Sequence, residues 1–318
     1  MARYILTRLL GILPSVFLLV FFVVILIQLI PGNIIDLMLD QSSSPDLQTR
    51  QALTHQLGLD RSLPQRYIDY VGGLLRGDFG RSLWTDQPVT RMVRIYAPPT
   101  IELAILSILI GSFTGVVLGI ISAIKQDSWM DYLLRTVAIA GISIPNFAIA
   151  TSVVIFPAIL WGIAPNLNYV SLMESPIENV KILLLPAAIL ALGLSTSLMR
   201  LTRTTMLDVL RQDYIRTARA KGVTEFNIIV KHAVRNAIIP VVTLLGLQVA
   251  FLVGGSVIVE TVFSIPGVGR LLVSAIGKRD YPIVQGIVVV IGLFVMGINL
   301  MVDLSYGFLD PRIKIASG

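Results

Sequence analysis

The chain contains no cysteine, so it can form no disulfide, no thiolate metal site and no cysteine nucleophile. Its two histidines, His55 and His232, have no carboxylate pair or metal-ligand spacing around them. The pattern G-x-x-x-x-G-K-[ST] is also absent, so the chain lacks the usual phosphate cradle for ATP. We therefore expect no catalytic, cofactor-binding or metal-binding residue, and no enzyme.

Charge is scarce as well. Asp, Glu, Lys and Arg make up 14% of the 318 residues, against about 25% in an average soluble domain. Hydrophobic residues make up 55%, and the mean hydropathy is +0.81. A soluble protein of this length would need more charge to cover its surface, so most of the chain must face lipid or other apolar helices. The net charge of +6 does not indicate nucleic-acid binding, because the basic residues are spread thinly and cluster mainly in one inter-helix segment.

Long apolar runs are abundant. A spanning helix needs about 20 mostly apolar residues. Six stretches qualify, at residues 9–30, 100–124, 132–161, 180–201, 237–262 and 281–306. The third contains Pro145 and Pro157 and should be tilted, kinked or partly outside the hydrocarbon. The sequence therefore predicts an all-α integral membrane protein with about six transmembrane helices.

The basic residues predict the orientation of these helices. With the N-terminus inside, 14 of the 25 Lys and Arg residues lie on the cytoplasmic side. Seven of the other 11 lie in residues 31–98, and a segment of that length is translocated largely regardless of charge. We therefore expect both termini in the cytoplasm.

This topology divides the chain into parts. They are the N-terminus with the first transmembrane helix (1–30), an external loop domain (31–98), a transmembrane core (99–309) that includes a cytoplasmic segment (203–236), and a cytoplasmic tail (310–318). Within the external domain, residues 51–57 and 65–75 favour short helices, and the sequence Gly-Asp-Phe-Gly at 77–80 favours a turn.

Polar residues inside spans cost several kcal/mol each, so they are usually paired or line a path. Asn146, Gln248 and Asn299 are our candidates for a translocation path, with hydrogen bonding between helices as an equal alternative. Glu102 lies near a helix end and could simply reach the membrane interface.

Three glycines at spacings of four, Gly111, Gly115 and Gly119, form a GxxxGxxxG ladder. Such a ladder lets another helix backbone approach closely. The neighbour could be a helix of a partner subunit or a helix of the same subunit.

Residues 205–221 have the pattern of an amphipathic helix, with Met206, Leu210, Tyr214 and Ala218 at spacings of four. The pattern ends at Gly222, which favours the left-handed conformation that stops a helix.

Beyond this glycine a second helix is expected. Thr224 can cap it, and Glu225 suits its first turn. The segment therefore predicts an exposed helix, a glycine turn and another helix below the membrane.

The sequence DYIRTARAKG (213–222), followed by KHAVRNAIIPV (231–241), resembles the EAA loop of binding-protein-dependent ABC importer permeases, in the form of the dipeptide, oligopeptide and nickel subfamily. Four further segments match this subfamily in order, namely RLLGILPSVFLLVFFVVILIQLIPGN (8–33), GISIPNF (141–147), VETVFSIPGVGRL (259–271) and DLSYGFLDPRIK (303–314). The chain departs from the general EAA pattern at Arg216 and Thr217, where that pattern has Glu-Ala.

The resemblance implies a multi-pass subunit of the bacterial inner membrane, the first of two related permeases. Its implied partners are a second permease, two cytoplasmic ATPase subunits that bind ATP and Mg, an external solute-binding protein and membrane lipid. It implies cargo such as peptides, related small solutes or nickel. It also implies that the cytoplasmic segment 203–236 is a coupling segment. The residues of this segment that would dock on the ATPase are Arg216, Thr217, Ala218, Arg219, Lys221 and Gly222.

The alternative is an ion-coupled secondary transporter with Glu102 or Asp303 as the ion site. It would leave the exposed helix, turn and helix without a purpose.

Overall fold

The computed structural model describes residues 2–29, 54–55, 60–163 and 168–309. Within these residues the chain is helical and contains no β-strand, which confirms the predicted fold class. In chain order the elements are α1 (Ala2–Leu29), α2 (Leu63–Leu75), α3 (Val89–Ile124), α4 (Trp129–Ser143), α5 (Asn146–Trp161), α6 (Pro176–Leu210), α7 (Asp213–Ala220), α8 (Glu225–Asn227), a π-helical segment (Ile228–Val234), α9 (Arg235–Val262), α10 (Val268–Gly277) and α11 (Tyr281–Leu309).

The described residues include four helices that are long and apolar enough to cross a membrane, or five if α4 and α5 form one bent span. The predicted first span coincides with α1, whose apolar part Gly11–Ile25 is shorter than these four helices. The count of six spans and the orientation remain predictions.

The predicted third span is divided in two. Helices α4 and α5 meet at an angle of 90°. Ile144 is extended, with φ −96° and ψ 120°, as expected for a residue before proline, and Pro145 precedes α5. The predicted kink is confirmed at Pro145, whereas Pro157 lies within α5 without ending it.

The chain forms two compact units, Met1–Ala97 with Leu271–Leu300, and Pro98–Arg270 with Met301–Gly318. In the first unit α2 packs against α1. Tyr67 packs against a cluster that includes buried Val20, Val23 and Val24, and its hydroxyl donates to the carbonyl of Phe17 at 3.2 Å. The helix predicted at 65–75 is therefore confirmed. The helix predicted at 51–57 lies outside the described residues except for 54–55.

A turn and a loop follow α2 in this first unit. Gly77 and Gly80 have positive φ angles of 78° and 89°, which confirms the predicted turn. The loop before α3 is held by buried Asp280, which accepts hydrogen bonds from the Ser82 hydroxyl (2.6 Å) and the Leu83 N–H (3.1 Å).

The second unit is built around α6. Its buried face, which includes Leu183, Leu190 and Leu198, packs against Leu103 of α3 and Val259 of α9. Helix α6 also extends well beyond the predicted span 180–201, into the predicted coupling segment.

The glycine ladder of α3 packs on α6 of the same chain. A Cβ on Gly115 would lie 2.6 Å from the carbonyl oxygen of Ser195, and one on Gly119 would lie 2.6 Å from Cβ of Thr202. Beside the ladder, the Thr114 hydroxyl donates to the Ser195 hydroxyl at 2.9 Å. The structure thus favours the intramolecular alternative for this motif, with two backbones in close contact.

Candidate functional site

The predicted coupling helix is shorter than its sequence pattern indicates. The single helix expected over 205–221 is wrong, because α6 ends at Leu210 and α7 begins at Asp213. Gln212 between them is extended, with φ −70° and ψ 149°, and its carbonyl accepts the N–H of Ile215 at 3.1 Å. Asp213 then occupies the first turn of α7, where a negative charge is favourable.

One buried side chain holds α7 in place. Ile215 is fully buried, and α7 packs against the π-helical segment. Arg216, Thr217 and Arg219 are exposed, and Ala218 is half-buried. The outer face of α7 is therefore available to another protein.

Helix α7 ends in a Schellman turn. Gly222 has φ 79°, which confirms the predicted left-handed residue. Its N–H donates to the carbonyl of Arg219 at 3.0 Å, and the N–H of Val223 donates to the carbonyl of Ala218 at 3.2 Å. A Cβ at Gly222 would meet no atom within 4 Å, so the turn needs glycine for its backbone angle and not for space.

An ion pair spans this turn. The Arg219 guanidinium binds Glu225 through two hydrogen bonds, Nε to Oε1 at 2.8 Å and an Nη to Oε2 at 3.3 Å. This hydrogen bonding raises the pKa of Arg219. Both side chains are largely exposed, so the pair fixes the direction of the turn more than it stabilises the fold.

The second helix begins where it was predicted. Thr224 is extended, and its carbonyl accepts the N–H of Ile228 at 3.0 Å, but its side chain makes no capping hydrogen bond. Phe226 in the first turn is 73% exposed. The sequence analysis assigned no role to Phe226, although its position beside the glycine turn could have indicated one.

The helices around the coupling segment share a small buried core. Met206 of α6 and Ala123 of α3 pack with Ala233 and Ala237, which follow the turn in sequence. Met206 is fully buried, as its place in the amphipathic pattern suggests. The Tyr214 hydroxyl lies 3.0 Å from the Asn236 amide that donates to it. The turn therefore projects from a packed base.

A buried ion pair joins the start of the coupling segment to α4. Arg203 donates to Asp131 through Nε to Oδ1 at 2.8 Å and an Nη to Oδ2 at 2.6 Å. Asp131 is fully buried and also accepts from the Ser122 hydroxyl and from the Asp127 N–H at 3.1 Å. No local sequence signal could have found this pair, because its members are 72 residues apart.

Two of the three predicted path residues line one cavity. The cavity has a volume of about 560 Å³ and includes Asn146 of the α4–α5 elbow and Gln248 of α9. Ser197 and Arg200 of α6 complete its polar lining and were missed as path residues. Asn299 is exposed on α11 and is not part of this lining. The structure therefore brings Asn146 and Gln248 together.

Glu102 has partners within the chain. Its carboxylate accepts hydrogen bonds from the Tyr169 hydroxyl at 2.8 Å and from the Asn179 amide at 2.7 Å. Burial, and to a smaller extent the bond to Glu102, raise the pKa of Tyr169. The side chain of Asp303 lies outside the described part of the structure.

Within the segment 259–271, the buried residue Glu260 links α9 to α3 and to the start of α10. Its buried carboxylate accepts from the Thr100 hydroxyl at 2.8 Å and from the Arg270 N–H at 3.0 Å, at the start of α10. A carboxylate at a helix N-terminus is favourable. A Cβ on Gly269 would lie 2.6 Å from Cα of Val257, so a small residue is needed there.

These features define a multi-pass membrane protein of the transport permease class, with several membrane-capable helices, a cavity among them and an exposed helix–turn–helix. Residues 115–315 match the family described as binding-protein-dependent transport system inner membrane component, and residues 1–104 match its N-terminal family. The chain belongs to this family and is a permease of an ABC importer, not an enzyme.

Named relatives agree with this assignment, and a solved structure shares the fold. A Brucella abortus protein named provisionally as a peptide transport system permease is 38% identical over 99% of both chains. The glutathione transport system permease protein GsiC of Escherichia coli (strain K12) is 37% identical over 99% of both chains. The MetNI methionine ABC transporter, solved in inward-facing conformations, shares the fold, with a TM-score of 0.55, 16% identity and coverage of 69% of this chain and 97% of the other.

Proposed function

We propose that this chain is the first of two related permeases in an ATP-driven importer of peptides or related small solutes in a bacterial inner membrane. Its partners are a second permease, two cytoplasmic ATPase subunits that bind ATP and Mg, and an external solute-binding protein. The names of the relatives support peptides or glutathione as cargo more than nickel.

The observation that carries this proposal is the exposed helix–turn–helix on a packed base. Its outer surface consists of Arg216, Thr217, Ala218, Arg219, Lys221 and Gly222. Phe226 adds an exposed ring beside the turn, the kind of side chain that anchors protein interfaces. The surface docks on an ATPase subunit, and the Arg203–Asp131 pair links the base of the segment to α4.

The cavity lined by Asn146 and Gln248 belongs to the translocation path in this proposal. Amide side chains offer both donors and acceptors to a passing peptide without imposing a charge. The assignment of Asn299 to the translocation path remains a prediction, because Asn299 does not line this cavity. The partners that Glu102 has within the chain argue against its use as the ion site of a secondary transporter.

The proposal is tested by reconstitution. The purified chain alone should hydrolyse no ATP, because its sequence contains no phosphate-binding loop. The full complex in liposomes should take up peptide only with ATP and loaded binding protein. Uptake by this chain alone, driven by a proton or sodium gradient, would contradict the importer.

A further inference from the structure

A charged residue lines the cavity in the second unit, and the proposed function gives that residue no role. Leu190, Gly193, Leu194, Ser197 and Arg200 lie at spacings of three and four on one face of α6, and all of them line the cavity. The face changes from apolar at Leu190 to polar at Ser197 and cationic at Arg200. A solute in this cavity would therefore meet a cation at one end of this face.

Among the described residues that line the cavity, Arg200 is the one that carries a charge. The other polar side chains of these described lining residues are those of Asn146, Ser197 and Gln248, and none of them is a carboxylate. Arg200 is exposed, and its guanidinium forms no ion pair with any carboxylate of the described chain. Arg203, one turn further along α6, contrasts with it because Asp131 neutralises it.

A guanidinium beside an apolar span is costly unless it faces water or an anion, so a cation in such a place marks a path or a ligand. The planar fork of a guanidinium fits a carboxylate through two parallel hydrogen bonds. Neutral amides nearby suit the peptide groups of the same ligand. The set is thus complementary to a small solute with one free carboxylate.

We infer that Arg200 binds the carboxylate of the solute during its passage, with Asn146 and Gln248 facing the uncharged polar groups. The inference rests on the proposed function and names its substrate class, which is small solutes with a free carboxylate. The competing explanation is that Arg200 extends along the helix to the lipid headgroups, as long basic side chains do at helix ends.

The test compares Arg200→Gln and Arg200→Lys in the complete transporter, reconstituted with its partners. The two probes are one peptide with a free C-terminal carboxylate and the same peptide with a C-terminal amide. Each is supplied at a concentration shown to saturate the binding protein. Arg135→Gln is the matched control, because Arg135 is an exposed arginine of the same unit that does not line the cavity.

We expect Arg200→Gln to reduce uptake of the free peptide by about tenfold or more, as for the loss of a hydrogen bond to a charged group, and to leave the amidated peptide unchanged. Arg200→Lys should retain part of the uptake. An equal loss for both peptides, or no loss for either, would overturn the inference and leave the lipid contact. A wild-type complex that moves neither peptide with ATP would instead contradict the proposed function, and this role of Arg200 with it.

Discussion

Gly222 and Gly162 are equivalent in local geometry and differ in their position in the fold. Both hold a positive φ, 79° and 67°, and neither would bring an added Cβ within 4 Å of another atom. Gly222 forms the turn of the coupling segment, whereas Gly162 ends α5. A matched pair of substitutions at these two glycines therefore separates the cost of backbone strain from the cost of losing the proposed docking surface.

We predict that Gly222→Val abolishes uptake and that Gly162→Val does not. A β-branched residue is an outlier at positive φ, so both variants should lose a similar free energy of unfolding, about 1–2 kcal/mol. Only the first should redirect the turn and the Arg219–Glu225 pair. The measurements are peptide uptake and thermal unfolding in detergent. Equal loss of uptake in both variants would show that strain alone is responsible.

Individual residues were predictable where the signal was local. Gly222 and Glu225 follow from helix-end chemistry that acts over a few residues, and the structure bears out both positions. Asn146 and Gln248 were found because polar side chains in apolar spans are unusual. Arg200 was missed because it lies at the end of a span, where the sequence cannot distinguish a residue that lines a cavity from one at the interface.

At the scale of elements, the break between α6 and α7 shows the limit of periodicity. Met206 and Leu210 precede the break, and Tyr214 and Ala218 follow it, yet their spacing of four continues unchanged. The interruption depends on the extended backbone of Gln212 and on the burial of Ile215 against the π-helical segment. Neither feature can be read from the spacing of the apolar residues.

Two of the Arg–carboxylate pairs of the second unit, Arg203–Asp131 and Arg219–Glu225, should differ in how much they contribute to the free energy of unfolding. Asp131 is fully buried and the Arg203 side chain is 17% exposed, whereas Arg219 and Glu225 are 44% and 61% exposed. Removing one partner of a buried pair leaves an uncompensated charge, whereas an exposed pair is already well solvated.

We predict that Arg203→Ala lowers the free energy of unfolding by about 3–5 kcal/mol and Arg219→Ala by about 0–1 kcal/mol. The double variant Asp131→Asn, Arg203→Met should recover much of the loss, because it removes both charges together. Thermal unfolding of the purified complex in detergent measures all three. Similar values for the two single variants would mean that water reaches Asp131.

At the scale of the molecule, the helices of the second unit are connected in a way that would transmit movement from one to another. The glycine ladder joins α3 to α6, the Arg203–Asp131 pair joins α6 to α4, and the small core around Met206 joins them to the residues after the coupling turn. Packed elements of this kind move as a body and do not deform gradually. Under the proposed function, a movement imposed on the coupling turn by an ATPase would then reach the cavity, which residues of α4, α5, α6 and α9 line.

The last prediction concerns the side of the membrane on which each exposed segment lies. The asymmetry of basic residues predicts that residues 31–98 lie outside and residues 203–236 inside. Because the chain has no cysteine, single variants Thr85→Cys and Thr224→Cys introduce one thiol each, both at exposed positions. A membrane-impermeant thiol reagent added to intact spheroplasts should label Thr85→Cys alone, and Thr224→Cys should react only after the membrane is opened. Labelling of both variants from the same side would exclude the proposed topology, since an external coupling turn could not reach a cytoplasmic ATPase.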